Sequence, residues 1–178
     1  EYDEHVWLSL RHAQVLCTAI ADALCAVDSA HASLYKNNVA AYNAQLAQLD
    51  AEYTAMVNSA RTKTVLFGDR FPFRYLVDDY GLSYHAAFSG CSAETEASFK
   101  TIVFLANKVD ELGLQSVLTI EMSDKKIART IIQNSRAKRV AIRTLDSMQA
   151  TTARDIKRGA TYLGIMRKNL DVLREVLN

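Results

Sequence analysis

The sequence has little that would interrupt regular structure, with a single proline and six glycines among 178 residues. So few breaks argue against a loop-rich or collagen-like scaffold and favour long regular elements. Lysines and arginines number 21 against 20 aspartates and glutamates, so the formal net charge is only +1. No overall field is therefore present to attract nucleic acid or an anionic membrane. The length is that of one ordinary domain, and 49% hydrophobic residues can fill its core.

Cysteine is also scarce, and only Cys17, Cys25 and Cys91 are present. An odd number without a CxxC spacing predicts neither a disulfide framework nor a zinc knuckle. Cys17 and Cys25 lie in an apolar helical pattern, where we expect each to act as a small hydrophobic residue. The cysteines therefore do not reveal the compartment.

Segments that direct a chain to or through a membrane are not evident. The sequence has no run of about 20 consecutive apolar residues, the length of a membrane-spanning helix. The first residues, Glu1 to Glu4, are unlike the basic and apolar start of a signal peptide. Two alternatives stay open: a cytosolic protein, or a chain that begins after its targeting segment.

Two long helices are predicted in the first third of the chain. Between residues 9 and 28, apolar side chains recur at the spacing of one helical face. Ser29 follows as the expected N-cap of the next helix. From Tyr35 to Met56 an apolar stripe continues at spacings of three and four residues. A helix this long is either a coiled-coil arm or a rigid strut that lies across two bodies.

After Lys63 the hydrophobic period changes, and strands alternate with helices. Alternating βα units imply a parallel sheet with helices on its faces, so the predicted class is α/β with a four-stranded parallel sheet. The predicted strands are 64–67, 83–88, 116–120 and 139–145, and the predicted helices are 73–80, 92–112, one from Ser123 and one after Thr151 or Thr152.

A polar side chain or a cysteine follows each predicted strand. Asp69 and Arg70 follow the first strand, Cys91 the second, Glu121 the third and Asp146 the fourth. Because ligands of open α/β sheets bind beyond the carboxyl ends of the strands, these residues are the candidates for a site. Carboxylates gathered there would suit a divalent cation. In the alternative interpretation, Asp69 and Glu121 cap the helices that follow them.

Histidine occurs at four positions, and His5 is the strongest candidate for a metal ligand. It precedes a helix and lies beside acidic residues that would orient its ring, although a solvated terminal histidine is the alternative. His12 and His31 fall on helical surface positions, and His85 lies inside a strand pattern. We expect no ligand role for these three.

Short segments spread along the chain carry a family resemblance. They are His5 to Ser9 (HVWLS), Phe73 to Leu76 with Tyr80 to Leu82 (FRYL and YGL), Ser92 to Ser98 (SAETEAS), Leu145-Asp146, and Tyr162 to Leu170 (YLGIMRKNL). In the same order they resemble the HxWLS, AFxYL…YGL, SPExEPS, LDP and YLxxMxxNL motifs of the cluster A-I metal-binding proteins. These are the zinc- and manganese-specific solute-binding components of ABC importers. Because the match is collinear, it is more specific than any single motif.

The resemblance implies a protein of two α/β lobes that are joined by one long rigid helix and hold a metal in the cleft between them. The stripe from Tyr35 to Met56 fits that helix, which favours the strut over the coiled coil. Residues 1–28 would then be the last segment and helix of a first lobe, 29–61 the linking helix and 62–178 the C-terminal lobe. The rest of the first lobe is expected to precede His5 in the complete protein.

The resemblance also implies the metal ligands, which in this family are usually three histidines and one carboxylate. His5 matches the second histidine and Asp146 the carboxylate, whereas the first histidine belongs to the absent lobe. Arg70 occupies the place of the third histidine, and it cannot ligate a metal because its guanidinium stays protonated. The missing ligand, or a carboxylate that pairs with the arginine instead, is expected from the remaining candidates, which are Asp69, Glu121 and Cys91.

The predicted function is that of a non-enzymatic, extracytoplasmic subunit that binds Zn²⁺, or alternatively Mn²⁺, and delivers it to an ABC permease in the membrane. We expect it to be periplasmic or lipid-anchored, with no nucleic-acid partner. Because binding needs neutral His5 and ionised Asp146, metal affinity should fall on acidification. Without the first lobe, this chain is expected to bind metal weakly or not at all and to expose an apolar face that favours dimerisation.

Two other functions compete with metal transport. A helical adhesion or interaction module would act through the stripe from Tyr35 to Met56 and have no functional metal site. A small α/β enzyme would use Cys91 as nucleophile, assisted by Asp69 or Glu121. The enzyme lacks a good base, and no GxSxG, Walker or GxGxxG pattern supports it. A structural role is the simpler interpretation of Cys91.

Overall fold

Two helices precede an α/β unit in the computed structural model, which describes residues 3–88, 97–137 and 139–178. The first part consists of a 3₁₀ turn (Val6–Leu8), α1 (Leu10–Val27), a second 3₁₀ turn (Ser29–His31) and α2 (Ala32–Ser59). The α/β unit consists of β1 (Thr64–Phe67), α3 (Arg74–Tyr80), β2 (Ser83–Ala86), α4 (Phe99–Glu111), β3 (Ser116–Ile120), α5 (Lys126–Asn134), β4 (Ala141–Leu145), α6 (Ala153–Lys157) and α7 (Tyr162–Leu177).

The four strands form one parallel sheet in the order β2-β1-β3-β4, which confirms the predicted fold class. From β1 the chain continues to β2 at one edge of the sheet, whereas from β3 it continues to β4 at the opposite edge. The strand order therefore reverses between β1 and β3. In open α/β sheets, ligands bind at the carboxyl end of such a switch point.

Alternation along the strands divides the core between the two faces of the sheet. Val65 and Phe67 of β1 belong to one buried cluster together with residues of α1, α2, α3 and α7. Leu66 belongs to a second cluster with residues of α4 and α5. This is the period of two expected for a strand that is covered on both faces.

The apolar stripe of α2 attaches this long helix to the α/β unit. Leu46, Leu49, Tyr53 and Met56 are buried in the first cluster. The hydroxyl of Tyr53 donates a hydrogen bond of 2.7 Å to the backbone carbonyl of Met166 in α7. The second half of the stripe is therefore core, and it is not displayed as the adhesive surface that the helical-module alternative requires.

A polar network fixes the start of α1 against the same unit. Ser9 caps α1 by accepting the His12 N–H, and its hydroxyl donates to Asp79 of α3 over 2.6 Å. Tyr80 donates to Asp50 of α2 over 2.8 Å. Because these bonds tie α1, α2 and α3 together, the beginning of the chain has a defined position relative to the sheet.

By length and composition, α1 is able to cross a membrane, since its 18 residues have a mean hydropathy of 1.3. No membrane-spanning helix was expected from the sequence, because the chain has no long run of consecutive apolar residues. A mean hydropathy can still be high when a few polar residues, such as Arg11 and Asp22, are scattered among apolar ones. Core helices of soluble proteins and signal sequences meet the same criterion. Here α1 packs along α2 and buries Leu10, Ala13 and Ala21, so we interpret it as a helix of the fold.

The remainder of α1 presents an apolar face to solvent. Val15 is 68% exposed, Ile20 60% and Val27 83%. Leu16 and Leu24 are each 41% exposed. This helix therefore carries a row of exposed apolar side chains.

Several predicted boundaries are wrong for local reasons. Ser29 lies in a 3₁₀ turn and does not cap α2. The helix expected from Ser123 begins at Lys126, because Lys125 adopts a left-handed conformation just before it. The single terminal helix is two, α6 and α7, separated by Gly159 at a φ of 95°.

Candidate metal centre

His5 is buried and oriented by an acidic neighbour. Only 2% of the residue is exposed. Its Nδ1 lies 2.7 Å from Oδ1 of Asp3, an oxygen that also accepts the His5 backbone N–H. In metal sites, a carboxylate at Nδ1 fixes the tautomer in which Nε2 is the ligand atom. Three histidine, cysteine, aspartate or glutamate side chains can hold one metal ion together when their ligand atoms all lie within 4.8 Å of one another. Within the described ranges, the only such group is Asp3, Glu4 and His5.

Three hydrogen bonds hold the His5 segment against the α/β unit. Trp7 donates its indole N–H to the Ser147 carbonyl over 3.0 Å. The hydroxyl of Tyr162 donates to the Trp7 carbonyl over 2.7 Å, and that of Tyr75 donates to the Asp3 carbonyl over 2.8 Å. Since Ser147 directly follows Asp146, the structure brings the His5 segment to the loop that carries the other ligand predicted by the resemblance.

Asp146 follows β4, and its backbone is fixed from both sides by Asn169. The Asp146 N–H donates to the Asn169 side-chain oxygen over 2.9 Å, and the Asn169 amide donates back to the Asp146 carbonyl over 2.8 Å. Oδ1 of Asp146 accepts the Met148 N–H. Burial raises the pKa of this carboxyl, and the nearby negative charge of Glu121 acts in the same direction. A bound cation would offset the cost of ionising it.

Asp69 lies at the switch point between β1 and β3. It is 8% exposed, and its two oxygens accept hydrogen bonds from the backbone N–H groups of Arg70 (2.9 Å) and Ile120 (3.4 Å). Asp69 and Arg70 line two adjoining pockets of about 280 and 230 Å³. The residues that line these pockets include neither His5 nor Asp146. The predicted site residues thus form two neighbouring groups at one edge of the sheet.

Glu121 joins these two groups. It lines the smaller pocket beside Asp69, and its carboxylate accepts hydrogen bonds from the loop after Asp146. The donors are the backbone N–H and hydroxyl of Ser147 (both 2.7 Å) and the N–H groups of Gln149 (3.0 Å) and Ala150 (3.3 Å). The alternative in which Glu121 caps α5 is not what the structure shows.

The loops at this edge contain unusual backbone conformations. Met122, Lys125 and Met148 have φ values of 60°, 62° and 64°. The left-handed region costs a residue other than glycine about 1–2 kcal/mol, and such residues concentrate at functional sites. None of the three was predicted from the sequence, because no glycine or asparagine marks these positions.

His31 and His85, for which no ligand role was expected, take part in other contacts. Cys91 falls outside the described residues. His31 pairs with Asp28 before α2. In β2, the ring of His85 packs on Phe104 at 5.7 Å between centroids, and burial lowers the pKa of this histidine.

Comparisons with known proteins agree with the geometry. Residues 1–176 match the family described as "Zinc-uptake complex component A periplasmic", a family of uptake components rather than enzymes. The zinc-binding lipoprotein AdcA of Streptococcus pneumoniae is 31% identical over 175 residues, which are 98% of this chain and 34% of that protein. The chain spans about a third of the length of the first curated relatives it matches.

Solved structures share the fold. The Zn(II)-bound ZnuA-like domain of S. pneumoniae AdcA is 29% identical, with a TM-score of 0.78 over 99% of this chain and 64% of that one. The laminin-binding protein Lmb of Streptococcus agalactiae, described as having adhesin and metal-transporting activity, is 26% identical with a TM-score of 0.86. The match covers 99% of this chain and 65% of that one. The motif residues Trp7, Tyr75, Asp146, Tyr162 and Asn169 are those that the hydrogen bonds above bring together.

Proposed function

The chain belongs to the family of periplasmic zinc-uptake component A proteins, and from this premise we propose that it is part of a solute-binding protein that binds Zn²⁺ for uptake. The observation that supports this proposal most strongly is the hydrogen bond from the Trp7 indole N–H to the Ser147 carbonyl. It brings the segment of a buried, oriented imidazole to the loop of a half-buried carboxylate. One nitrogen and one oxygen ligand of this kind suit zinc, and Mn²⁺ is the alternative cation.

The proposed organisation follows the three parts that the sequence suggested. Residues 1–28 would be the last segment and helix of a first lobe, 29–61 the linking helix and 62–178 the C-terminal lobe. The exposed apolar face of α1, with Val15, Ile20 and Val27, supports this division because contiguous apolar surface is normally covered in the complete assembly. Dimerisation through the same face is the competing proposal for the isolated chain.

In the proposed site, His5 and Asp146 bind the ion directly. Asp69 is our candidate for a further ligand, because it is buried and, within the described residues, each of its oxygens accepts one backbone hydrogen bond. A carboxylate oxygen has two lone-pair sites, so both oxygens retain capacity for a cation. The ligand atoms of His5, Asp146 and Asp69 do not all lie within 4.8 Å of one another, so metal binding would have to draw them together. Arg70 supplies no ligand and would instead balance the negative charge of the pocket. Cys91, a candidate to line the site, falls outside the described residues.

Delivery to an ABC permease and an extracytoplasmic location are proposed from the relatives. The S. pneumoniae relative is named a lipoprotein, and the family is named periplasmic. The S. agalactiae neighbour is described as having adhesin and metal-transporting activity together. Adhesion in that neighbour accompanies metal transport, so it gives no reason to prefer an adhesion module without a metal site.

We expect the complete protein, purified without chelator, to contain about one zinc ion per molecule, as for a single site of nitrogen and oxygen ligands. Elemental analysis by mass spectrometry measures the identity and the stoichiometry together. A preparation after dialysis against a chelator serves as the control and should lose the ion. A predominance of manganese, or no metal in repeated preparations, would contradict the proposal of zinc uptake.

A further inference from the structure

We propose that Glu121 is a positioning residue, which holds the Asp146 loop and the His5 segment in place for the metal and does not bind the ion itself. This inference rests on the proposed zinc-binding function. Glu121, after β3, thus has a different role from Asp69 after β1 and Asp146 after β4.

Glu121 accepts four hydrogen bonds from one loop, three of them at a single oxygen. Oε1 accepts from the Ser147 hydroxyl, the Gln149 N–H and the Ala150 N–H, and Oε2 accepts from the Ser147 N–H. An ionised carboxylate has about four lone-pair sites. Three donors crowd Oε1, which has two lone-pair sites, and the fourth takes one of the two sites of Oε2, so a cation bound to Glu121 would compete with the donors that hold the loop.

The loop that Glu121 holds needs such support. Met148 has a φ of 64°, and its N–H donates to Oδ1 of Asp146 over 2.8 Å. A left-handed methionine is unfavourable by itself and persists only where the surroundings fix it. The donors to Glu121 on either side of Met148, at Ser147 and Gln149, provide that constraint. The direction of the Asp146 carboxylate therefore depends on Glu121.

The same loop connects Glu121 to the imidazole segment. Ser147 is fully buried, and its carbonyl accepts the Trp7 indole N–H. The Trp7 ring in turn lies 5.3 Å from the His5 ring, centroid to centroid. A single carboxylate thus positions, through Ser147, elements that carry both proposed ligands. Partners of metal ligands typically contribute 10- to 100-fold to metal affinity.

The test compares Glu121→Gln with Ser147→Ala and Asp146→Asn, each in the complete protein that includes the first lobe. Glutamine keeps the shape of Glu121 but replaces one acceptor oxygen by an NH₂ group, which cannot accept the N–H or O–H donors of the loop. Ser147→Ala removes only the hydroxyl donor. Zn²⁺ affinity is measured by competition with a chromogenic chelator, and the visible spectrum of bound Co²⁺ reports the ligand set. Amide hydrogen exchange of Ser147, Gln149 and Ala150 in the metal-free protein reports the loop.

We expect Glu121→Gln to lower Zn²⁺ affinity about 10- to 100-fold, and Ser147→Ala to lower it less. At saturating Co²⁺, the Glu121→Gln spectrum should match that of the wild type, whereas Asp146→Asn should change it. Exchange of the three loop amides should accelerate at least tenfold in Glu121→Gln. Glu111→Gln, an exposed carboxylate paired with Lys108 on α4, is the matched control and should behave as the wild type.

Unchanged affinity and unchanged amide exchange in Glu121→Gln would overturn the positioning role. A Co²⁺ spectrum altered as in Asp146→Asn would overturn it as well, because Glu121 would then be a ligand. If the wild type binds neither Zn²⁺ nor Co²⁺, the proposed function fails. Amide exchange in the metal-free protein then still decides whether Glu121 holds the loop. Faster exchange in Glu121→Gln supports that role, and unchanged exchange overturns it.

Discussion

Replacing Asp146 by asparagine is expected to weaken Zn²⁺ binding by more than about 100-fold, since loss of a direct ligand should exceed the 10- to 100-fold effect of its partners. The same change should leave the metal-free protein as stable as the wild type or more stable. Asparagine can still accept the Met148 N–H that Asp146 Oδ1 accepts. A substitution that weakens zinc binding without lowering stability is expected at a residue whose role is to bind the metal rather than to stabilise the fold.

The pH dependence of stability follows from the same carboxyl. Burial raises the pKa of Asp146 in the folded state, so the folded protein binds a proton at this carboxyl more tightly than the unfolded chain does. The stabilisation by that proton is present at low pH and is lost as the pH rises through the folded-state pKa. The stability advantage of Asp146→Asn should thus be largest at neutral pH and disappear on acidification. Protons should also compete with zinc at a higher pH than at a free aspartate.

Thermal unfolding from pH 4 to 8, combined with chelator competition, measures both effects. Asp171→Asn is the matched control, because Asp171 is an exposed carboxylate on α7 that pairs with Arg174. It should leave zinc affinity unchanged. Wild-type affinity in Asp146→Asn would contradict the assignment, and a large loss of stability would show that Asp146 is needed mainly for folding.

Replacing Gly68 by alanine should destabilise the protein by about 3 kcal/mol, the upper part of the usual range for overpacking. Gly68 follows β1 and precedes Asp69. A Cβ atom at this position would lie 2.6 Å from Cα of Ala128, which is fully buried in α5. Because the clash is with backbone, no side-chain rotation relieves it, and α5 would have to move away from the sheet.

Gly113→Ala separates this steric effect from a conformational one. Gly113 has a φ of +61° and no atom within 4 Å of an added Cβ, so only the left-handed backbone opposes alanine, at about 1–2 kcal/mol. Urea unfolding gives both free energies from the midpoint and slope. A Gly68→Ala variant no less stable than Gly113→Ala would contradict the close packing of α5 on β1.

The fold was predictable where one local pattern dominated. Strands 64–67 and 116–120 were predicted with the bounds they have, because buried parallel strands are short apolar runs that need no partner to be recognised. The starts of α4 and α5 were placed too early. In α4 the cap is Ser98, which accepts the Thr101 N–H, and in α5 the left-handed Lys125 delays the helix. Caps of this kind depend on backbone conformations that sequence periodicity does not encode.

The site was predictable as a set of residues at one edge of the sheet, but not as a set of contacts. Trp7 and Asn169 belong to motifs that the sequence analysis quoted, yet their hydrogen bonds to the Asp146 loop span more than 20 residues. Glu121 appeared equivalent to Asp69, since both are carboxylates after strands. Only the folded loop of residues 147–150 distinguishes them. It donates four hydrogen bonds to Glu121, whereas Asp69 accepts from the backbone N–H groups of Arg70 and Ile120.

The central claim is that His5 and Asp146 bind the same zinc ion at the carboxyl edge of the sheet. Crystals of the zinc-loaded complete protein, measured at the zinc absorption edge, test it most directly through an anomalous difference map. We expect one strong peak about 2.0–2.2 Å from Nε2 of His5 and from a carboxylate oxygen of Asp146. A zinc peak that contacts neither residue, or only one of them, would contradict it.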